Sequence, residues 1–430
     1  MFNLFMFLTY SIISLPYGAQ ARTKHNSVLL ISFDGFRWDY QSKTDTPNLD
    51  YFEKNGVKAK SVRTVFKTAT WPAHFSIATG LYPENHGIVS NNMYDPVFDE
   101  FFNMTNTDPK WYSDSEPLWV TNQRKGGKSA LVLWPGFNVK IRGTYPTYAP
   151  PPLKKDRYGM PFITWEERIE LTIKWLTAKD PPNLVFLYFD EPDIAGHTWG
   201  PESLQINKAI QRVDLTVEIL LDKLRKYKLL DHVNIIMTSD HGQVEASSER
   251  NIFLSQYVPR DYYDGNDLFL SPMLWHRIGK RDLIYKLLKN AHPRLKVYYK
   301  HEIPESLHYR NHRRIAPLLV LPDEGWYVQP CPKERVYRGK WRVGAHGFSS
   351  LDKSMDSFFL AMGPDFRKGV LSDTFELVDI YPLICKILGL QPQPNNGTMK
   401  IVRRLLSPKH SSKKSLLSLN VVIQAVKTKS

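Results

Sequence analysis

Val28-Leu29-Leu30-Ile31-Ser32-Phe33, followed at once by Asp34-Gly35, is the stretch from which the fold can be read. A run this short and this apolar suits a strand buried on both faces better than a surface helix, and it delivers a carboxylate at its carboxyl end. The same design returns twice. Residues 184–189 lead into a segment holding Asp193 and His197, and residues 233–238 lead into Asp240-His241. Residues 129–133 and 358–362 are two further candidate strands. Between them Ile206, Ala209, Ile210, Val213, Val217, Leu220, Leu221 and Leu224 recur at three and four, which predicts a long amphipathic helix. Residues 165–177 and 377–388 repeat that pattern over shorter spans. The alternation predicts an α/β fold, a mostly parallel sheet with helices on both faces. Residues 243–342 break the rhythm, with a short helix at 282–290 and a strand at 295–299. They are expected to form a smaller inserted α+β subdomain. The Pro-rich residues 145–153 and everything beyond Pro394 read as loop and linker.

In an open α/β sheet, ligands bind beyond the carboxyl ends of the strands. One Asp after a strand is commonplace and usually caps a helix. Three strands ending in Asp or His are harder to dismiss. Asp193 and His197 have the spacing of two ligands on one helical turn, and Asp240 and His241 can both turn to one ion. His346, between Gly344 and Gly347, adds a candidate on a loop. Mixed imidazole and carboxylate donors suit zinc, whereas calcium or magnesium would want mostly oxygen.

Thr70 stands in Lys67-Thr68-Ala69-Thr70-Trp71-Pro72-Ala73-His74. Pro72 fits the first turn of a helix and Gly80 its end, so Thr70 is expected just before the helix. Read locally it is an N-cap; beside metal ions the same hydroxyl becomes a nucleophile.

The bulk properties set the compartment. With 430 residues the chain can bury one large core, and its ordinary apolar and charged fractions exclude disorder. The net charge of +14 is concentrated, since residues 400–430 hold eight basic side chains and no acidic one. That is a solvated basic tail rather than a nucleic-acid surface, and no specific nucleic-acid partner is expected. Residues 1–21 carry an apolar run that ends in Ala19-Gln20-Ala21, as a signal peptide does. Asn103-Met104-Thr105 and Asn396-Gly397-Thr398 are glycosylation acceptors consistent with a secretory route. Cys331 and Cys385 allow one disulfide or two free thiols. The expected organisation is therefore a signal peptide at 1–21, a catalytic domain at 22–395 and a basic tail at 396–430. A secreted monomer is expected, with membrane attachment only through an uncleaved N-terminal segment.

Ser32-Phe33-Asp34-Gly35-Phe36-Arg37, Thr70-Trp71-Pro72, the stretch from Thr79-Gly80-Leu81-Tyr82-Pro83 to His86-Gly87-Ile88, Glu191-Pro192-Asp193, Gly196-His197, Ser239-Asp240-His241-Gly242 and His346-Gly347 occur in this order. Together they resemble the ectonucleotide pyrophosphatase/phosphodiesterase family of the alkaline phosphatase superfamily, over residues 28–396. The short members, without somatomedin-like or nuclease-like domains, look closest. The resemblance implies an alkaline-phosphatase-like fold and two zinc ions. One would be held by Asp193, His197 and His346, the other by Asp34, Asp240 and His241 with Thr70. It further implies that Asn91 donates to a phosphoryl oxygen, that Tyr188 lines the substrate site, and that a phospho-threonine intermediate forms on Thr70. The implied substrate is a small phosphodiester or pyrophosphate, an extracellular nucleotide or dinucleotide, cleaved to a nucleoside 5′-monophosphate.

The departures matter as well. Ala73 stands where the family usually has Asn. Leu133, before Trp134-Pro135-Gly136, replaces an aromatic that nucleotide-cleaving relatives often have, and Asn138 replaces an Asp. Base stacking at Leu133 is thereby weakened. The alternatives are a lysophospholipid or choline-phosphodiester phosphodiesterase and a catalytically weak cell-surface binding protein.

Overall fold

The computed structural model describes residues 27–408 except 152–153, 156–158, 160, 266–269 and 335–338. The expected signal peptide and most of the basic tail lie outside the described residues. The central sheet has seven strands. In chain order they are β1 (Ser27–Phe33), β2 (Val57–Ala59), β3 (Ser129–Val132), β4 (Leu184–Phe189), β5 (Val233–Thr238), and, leaving out Arg342–Ala345, β6 (Phe359–Met362) and β7 (Val370–Ser372). Their spatial order is β7-β2-β6-β5-β1-β4-β3. β1 is central and parallel to both neighbours, with Phe33 beside Phe189 and Ser32 beside Thr238.

Alternation along β1 sends Val28 and Leu30 to one face and Leu29, Ile31 and Phe33 to the other, and each set joins its own buried apolar cluster. That is why the run carries no polar face. The sheet is not wholly parallel: β6 runs antiparallel to β5 and β2. Its apolar run gave no sign of direction, which is set by the connection and not by composition.

Five helices bear on the site. They are α1 (Thr70–Thr79), α2 (Trp165–Leu176), α3 (Asp193–Trp199), α4 (Leu204–Lys226) and α5 (Ile380–Leu388). α1 is buried along its whole length. It ends at Gly80, whose left-handed φ of 67° lets its N–H reach the Ser76 carbonyl. α2 starts with a reciprocal capping box between Thr164 and Glu167, and α4 starts with Ser203 accepting from the Ile206 N–H at 3.2 Å. The expected helix at 377–388 is split into a 3-10 turn at Leu377–Asp379 and α5.

Between β5 and Arg342–Ala345 the chain forms a separate four-stranded antiparallel sheet. Met273–His276, Leu318–Pro322 and Leu295–Tyr299 are its longer members, and helix Arg281–Leu288 accompanies them. One face of this sheet packs Leu274, Leu318 and Val320 into a small core of its own, while Met273, Leu319 and Leu321 join the main core. An ionic anchor fastens the unit down. Arg314, fully buried, donates to Asp95 Oδ2 at 2.6 Å and to the carbonyls of Gly87 and Trp111, and Arg313 also reaches Asp95.

One alternative left open by the sequence is decided here, and one expectation is corrected. Cys331 and Cys385 are free thiols: Cys385 is buried in α5 within the main core, whereas Cys331 sits half-buried in the inserted unit beside Glu334. The stretch after Asn396 is not all tail. Val402, Leu405 and Leu406 are buried in the main core through a short 3-10 helix at Val402–Leu405, so folded structure runs past the expected boundary.

Candidate active site

The sheet brings six of the expected ligands into two groups. Asp34, just after β1, meets Asp240 and His241, just after β5; Asp193 and His197 on α3 meet His346, just after Arg342–Ala345. In the first group His241 Nε2 lies 3.2 Å from Asp240 Oδ2 and 3.7 Å from Asp34 Oδ1. These three atoms are buried without a hydrogen-bond partner. Buried polar atoms are rarely left so, and three converging on one point need a shared partner. In the second group His197 Nε2 lies 3.3 Å from Asp193 Oδ2 and 3.1 Å from His346 Nε2.

The tautomers follow from the far side of each ring. Nδ1 of His197 faces the Gly344 carbonyl at 2.9 Å, Nδ1 of His346 faces the Thr68 carbonyl at 2.7 Å, and Nδ1 of His241 faces the Gly242 carbonyl at 3.1 Å. A carbonyl only accepts, so each Nδ1 carries the proton and each Nε2 presents a lone pair. Two lone pairs 3.1 Å apart repel unless a cation lies between them. This is the arrangement by which backbone carbonyls orient metal-ligating histidines. Burial, followed by the charges of Asp240 and Asp193, pushes the Asp34 carboxyl well above the ordinary range. Burial, followed by His197, holds the His241 imidazole well below its ordinary value. A bound cation would favour the ionised carboxylates, and it suits an imidazole that burial already keeps neutral. The residues present therefore fit divalent metal at both positions.

Residues that flank Thr70 touch both groups. Two residues before it, Thr68 holds His346; four residues after it, His74 Nδ1 lies 3.6 Å from Asp240 Oδ2. The expected N-cap reading fails, because Thr70 is the first helical residue and Ala69 is the cap, with no capping side chain. Asn91 performs that task from elsewhere: its Oδ1 accepts from the Trp71 N–H at 2.8 Å, which leaves its amide N–H groups for a ligand. Pro72 has no N–H, so this helix start offers an anion the Thr70 N–H and little else.

Other expected residues are placed differently. Tyr188 donates to Asp34 Oδ2 at 2.6 Å and sets its ring edge-on to His74. Leu133 adopts a left-handed φ of 57° and packs against the apolar clusters of both sheet faces. Ala73 is fully buried in the main core. The acceptor side chains Asn103 and Asn396 are both exposed. Asn103 Oδ1 accepts from the Thr105 N–H and hydroxyl, whereas Asn396 Oδ1 accepts from the Tyr82 N–H. Sequence reasoning missed His74, which bridges the Thr70 carbonyl and Ser32 Oγ, and Gln243, which reaches Asp193. His74 lay within the quoted helix start; Gln243 directly follows Asp240-His241-Gly242.

The profile of type I phosphodiesterases/nucleotide pyrophosphatases matches residues 28–349, a span that contains both groups and Thr70. The chain belongs to this family. Ectonucleotide pyrophosphatase/phosphodiesterase family member 5 of Homo sapiens is 38% identical over 398 residues, covering 92% of this chain and 81% of that protein. Bis(5'-adenosyl)-triphosphatase of Xenopus laevis is 39% identical, covering 88% and 81%. A solved structure of murine family member 5, an inactive threonine-to-alanine variant in complex with AMP, superposes with a TM-score of 0.84 at 40% identity, covering 89% of this chain and all of that one. The alkaline-phosphatase-like α/β fold and the likeness to the short family members are thereby established, and with them a phosphoric diester hydrolase of the nucleotide pyrophosphatase/phosphodiesterase class. No helix among the described residues is long and apolar enough to cross a membrane.

Proposed function

We propose that the protein hydrolyses phosphodiester or pyrophosphate bonds of extracellular nucleotides or dinucleotides, releasing a nucleoside 5′-monophosphate, with Thr70 as nucleophile and zinc as the metal. The observation that carries this reading is the pair of Asp/His groups, each with its Nε2 atoms turned inward and each touched by a residue that flanks Thr70. Asp193, His197 and His346 would hold one zinc, and Asp34, Asp240 and His241 the other. A zinc ion so held supplies Lewis acidity, easing deprotonation of a hydroxyl or water and offsetting charge on phosphoryl oxygens.

The chain's own residues do the rest. Thr70 Oγ loses its proton and bonds to phosphorus, while the bond to the departing oxygen breaks and that oxygen takes up a proton from solvent. Water then attacks the phospho-threonine diester, the P–Oγ bond breaks, and Thr70 regains its proton as the nucleoside monophosphate leaves. The Asn91 amide and the Thr70 N–H donate to the non-bridging oxygens, and Trp71 keeps Asn91 turned that way. His74, fully buried and with its protonation held down by burial, serves as a neutral wedge behind Thr70. AMP in the murine relative and the adenosyl substrate named for the Xenopus relative favour an adenine nucleotide.

The test is hydrolysis of the p-nitrophenyl ester of thymidine monophosphate by the purified protein, with and without chelator, beside Thr70→Ala. Turnover that chelator abolishes and zinc restores is expected, and Thr70→Ala is expected to be inert. Equal turnover in the wild type and Thr70→Ala would sink the mechanism. Zinc uptake without cleavage of any diester would instead favour a binding role.

A further inference from the structure

Gln243 directly follows Ser239-Asp240-His241-Gly242, and it is fully buried and joins two parts of the site. Its Nε2 donates to Asp193 twice, to carboxylate Oδ1 and, at 3.2 Å, to the main-chain carbonyl. Its own main-chain carbonyl accepts from Arg37 Nη1 at 3.0 Å. The amide cannot be turned over, because Oε1 would then face two acceptors. As it stands, Oε1 is buried with no partner. Space for it exists because two neighbours lack side chains: a Cβ on Gly196 would stand 1.6 Å from Oε1, and one on Gly344 would stand 2.6 Å from it.

Leaving an amide oxygen buried and unpaired is unfavourable, and the arrangement persists because the other end of the amide is held. We infer that Gln243 is a positioning residue for the metal group of Asp193, His197 and His346. By fixing Asp193 Oδ1 it turns Oδ2 toward His197 Nε2, 3.3 Å away. Without it Asp193 keeps a free χ2 and can turn away from the imidazoles. Gly196 and Gly344 are then requirements of Gln243, and not only of the backbone. This inference rests on the proposal that the group holds zinc.

The test titrates metal-free protein with zinc by calorimetry, comparing wild type with Gln243→Met, a side chain of similar volume that donates nothing. Two binding events are expected in the wild type. In Gln243→Met one should weaken by about 10–100-fold while the other is unchanged, and the Tm of the metal-free protein should stay where it was. Gly196→Ala, whose methyl would occupy the place of Oε1, should lose zinc affinity to the same degree. Adding Gln243→Ala to it should remove the clash but leave zinc affinity low. Two undisturbed events in Gln243→Met would overturn the inference and leave the zinc reading intact. A wild type that takes up no zinc would overturn both. Equal weakening of both events, together with a lower metal-free Tm, would make Gln243 a packing residue and also overturn the inference.

Discussion

Tyr188 donates its phenol to Asp34 Oδ2 at 2.6 Å, while Asp34 Oδ1 faces His241 Nε2 at 3.7 Å. The two residues come from adjacent parallel strands, and the register that pairs Ser32 with Tyr188 brings the ring alongside the carboxylate. Tyr188 thus acts on the site through Asp34.

Tyr188→Phe keeps the ring against His74 and removes only the donor. Because the acceptor is a buried carboxylate, kcat/KM is expected to fall by about 10-fold or more, with Tm changed by only a few degrees. Steady-state kinetics together with thermal unfolding check this, and wild-type kinetics would reduce the hydrogen bond to a bystander.

Thr70→Ala should reduce turnover by about 1,000-fold or more, since no other hydroxyl is placed there. Binding of a nucleoside monophosphate should survive. Thr70→Ser should keep measurable activity because it retains the hydroxyl. Calorimetric binding of AMP beside single-turnover rates distinguishes loss of the nucleophile from loss of the pocket.

Removal of metal should lower Tm, because Asp34 Oδ1, Asp240 Oδ2 and His241 Nε2 are then buried unpaired. Zinc restored to 100 times its dissociation constant should return about 2.7 kcal/mol per site. Scanning calorimetry before and after dialysis against chelator gives the number. An unchanged Tm would argue against metal at these residues.

His86 is fully buried; its Nδ1 accepts from the Ile88 N–H and its Nε2 meets Ser76 Oγ. Burial, followed by the charge of His312, lowers it from the ordinary 6.5 to about 3. Between those values the unfolded chain binds the proton and the folded chain does not, so stability falls as pH drops below 6.5. The slope from this group approaches 1.4 kcal/mol per pH unit. His86→Gln should flatten a plot of Tm against pH from 6.5 to 4; an unaltered slope would assign the acid sensitivity elsewhere.

Since Cys331 and Cys385 are free, a phosphine reductant, which does not compete for zinc as a dithiol does, should leave Tm unchanged. A drop on reduction would reveal a disulfide.

The sequence made the strand ends legible because buried parallel strands have no polar face: β1, β4 and β5 were found within a residue of their true bounds. The ligand set was legible for the same reason, each ligand but His346 following β1, β4 or β5 within eight positions. What stayed hidden depends on contacts between distant segments. The antiparallel run of β6, the burial of Val402 and Leu405, and the embrace of Asp193 by Gln243 leave no mark on local periodicity. Thr70 was misplaced by one position because Asn91, twenty-one residues on, does the work of a local cap. Tyr188 was read for its ring, while the structure uses its hydroxyl.

The central place of β1 also sets the order in which the molecule can be made. Its partners β4 and β5 begin at Leu184 and Val233, so about 150 residues follow Phe33 before the first of them exists. At roughly 5–20 residues per second, this wholly buried strand spends some 8–30 s with both edges open while the ribosome works. The strand that leads into Asp34 is therefore one that needs shelter during synthesis, a demand set by its central place in the sheet and not by the stability of the finished fold.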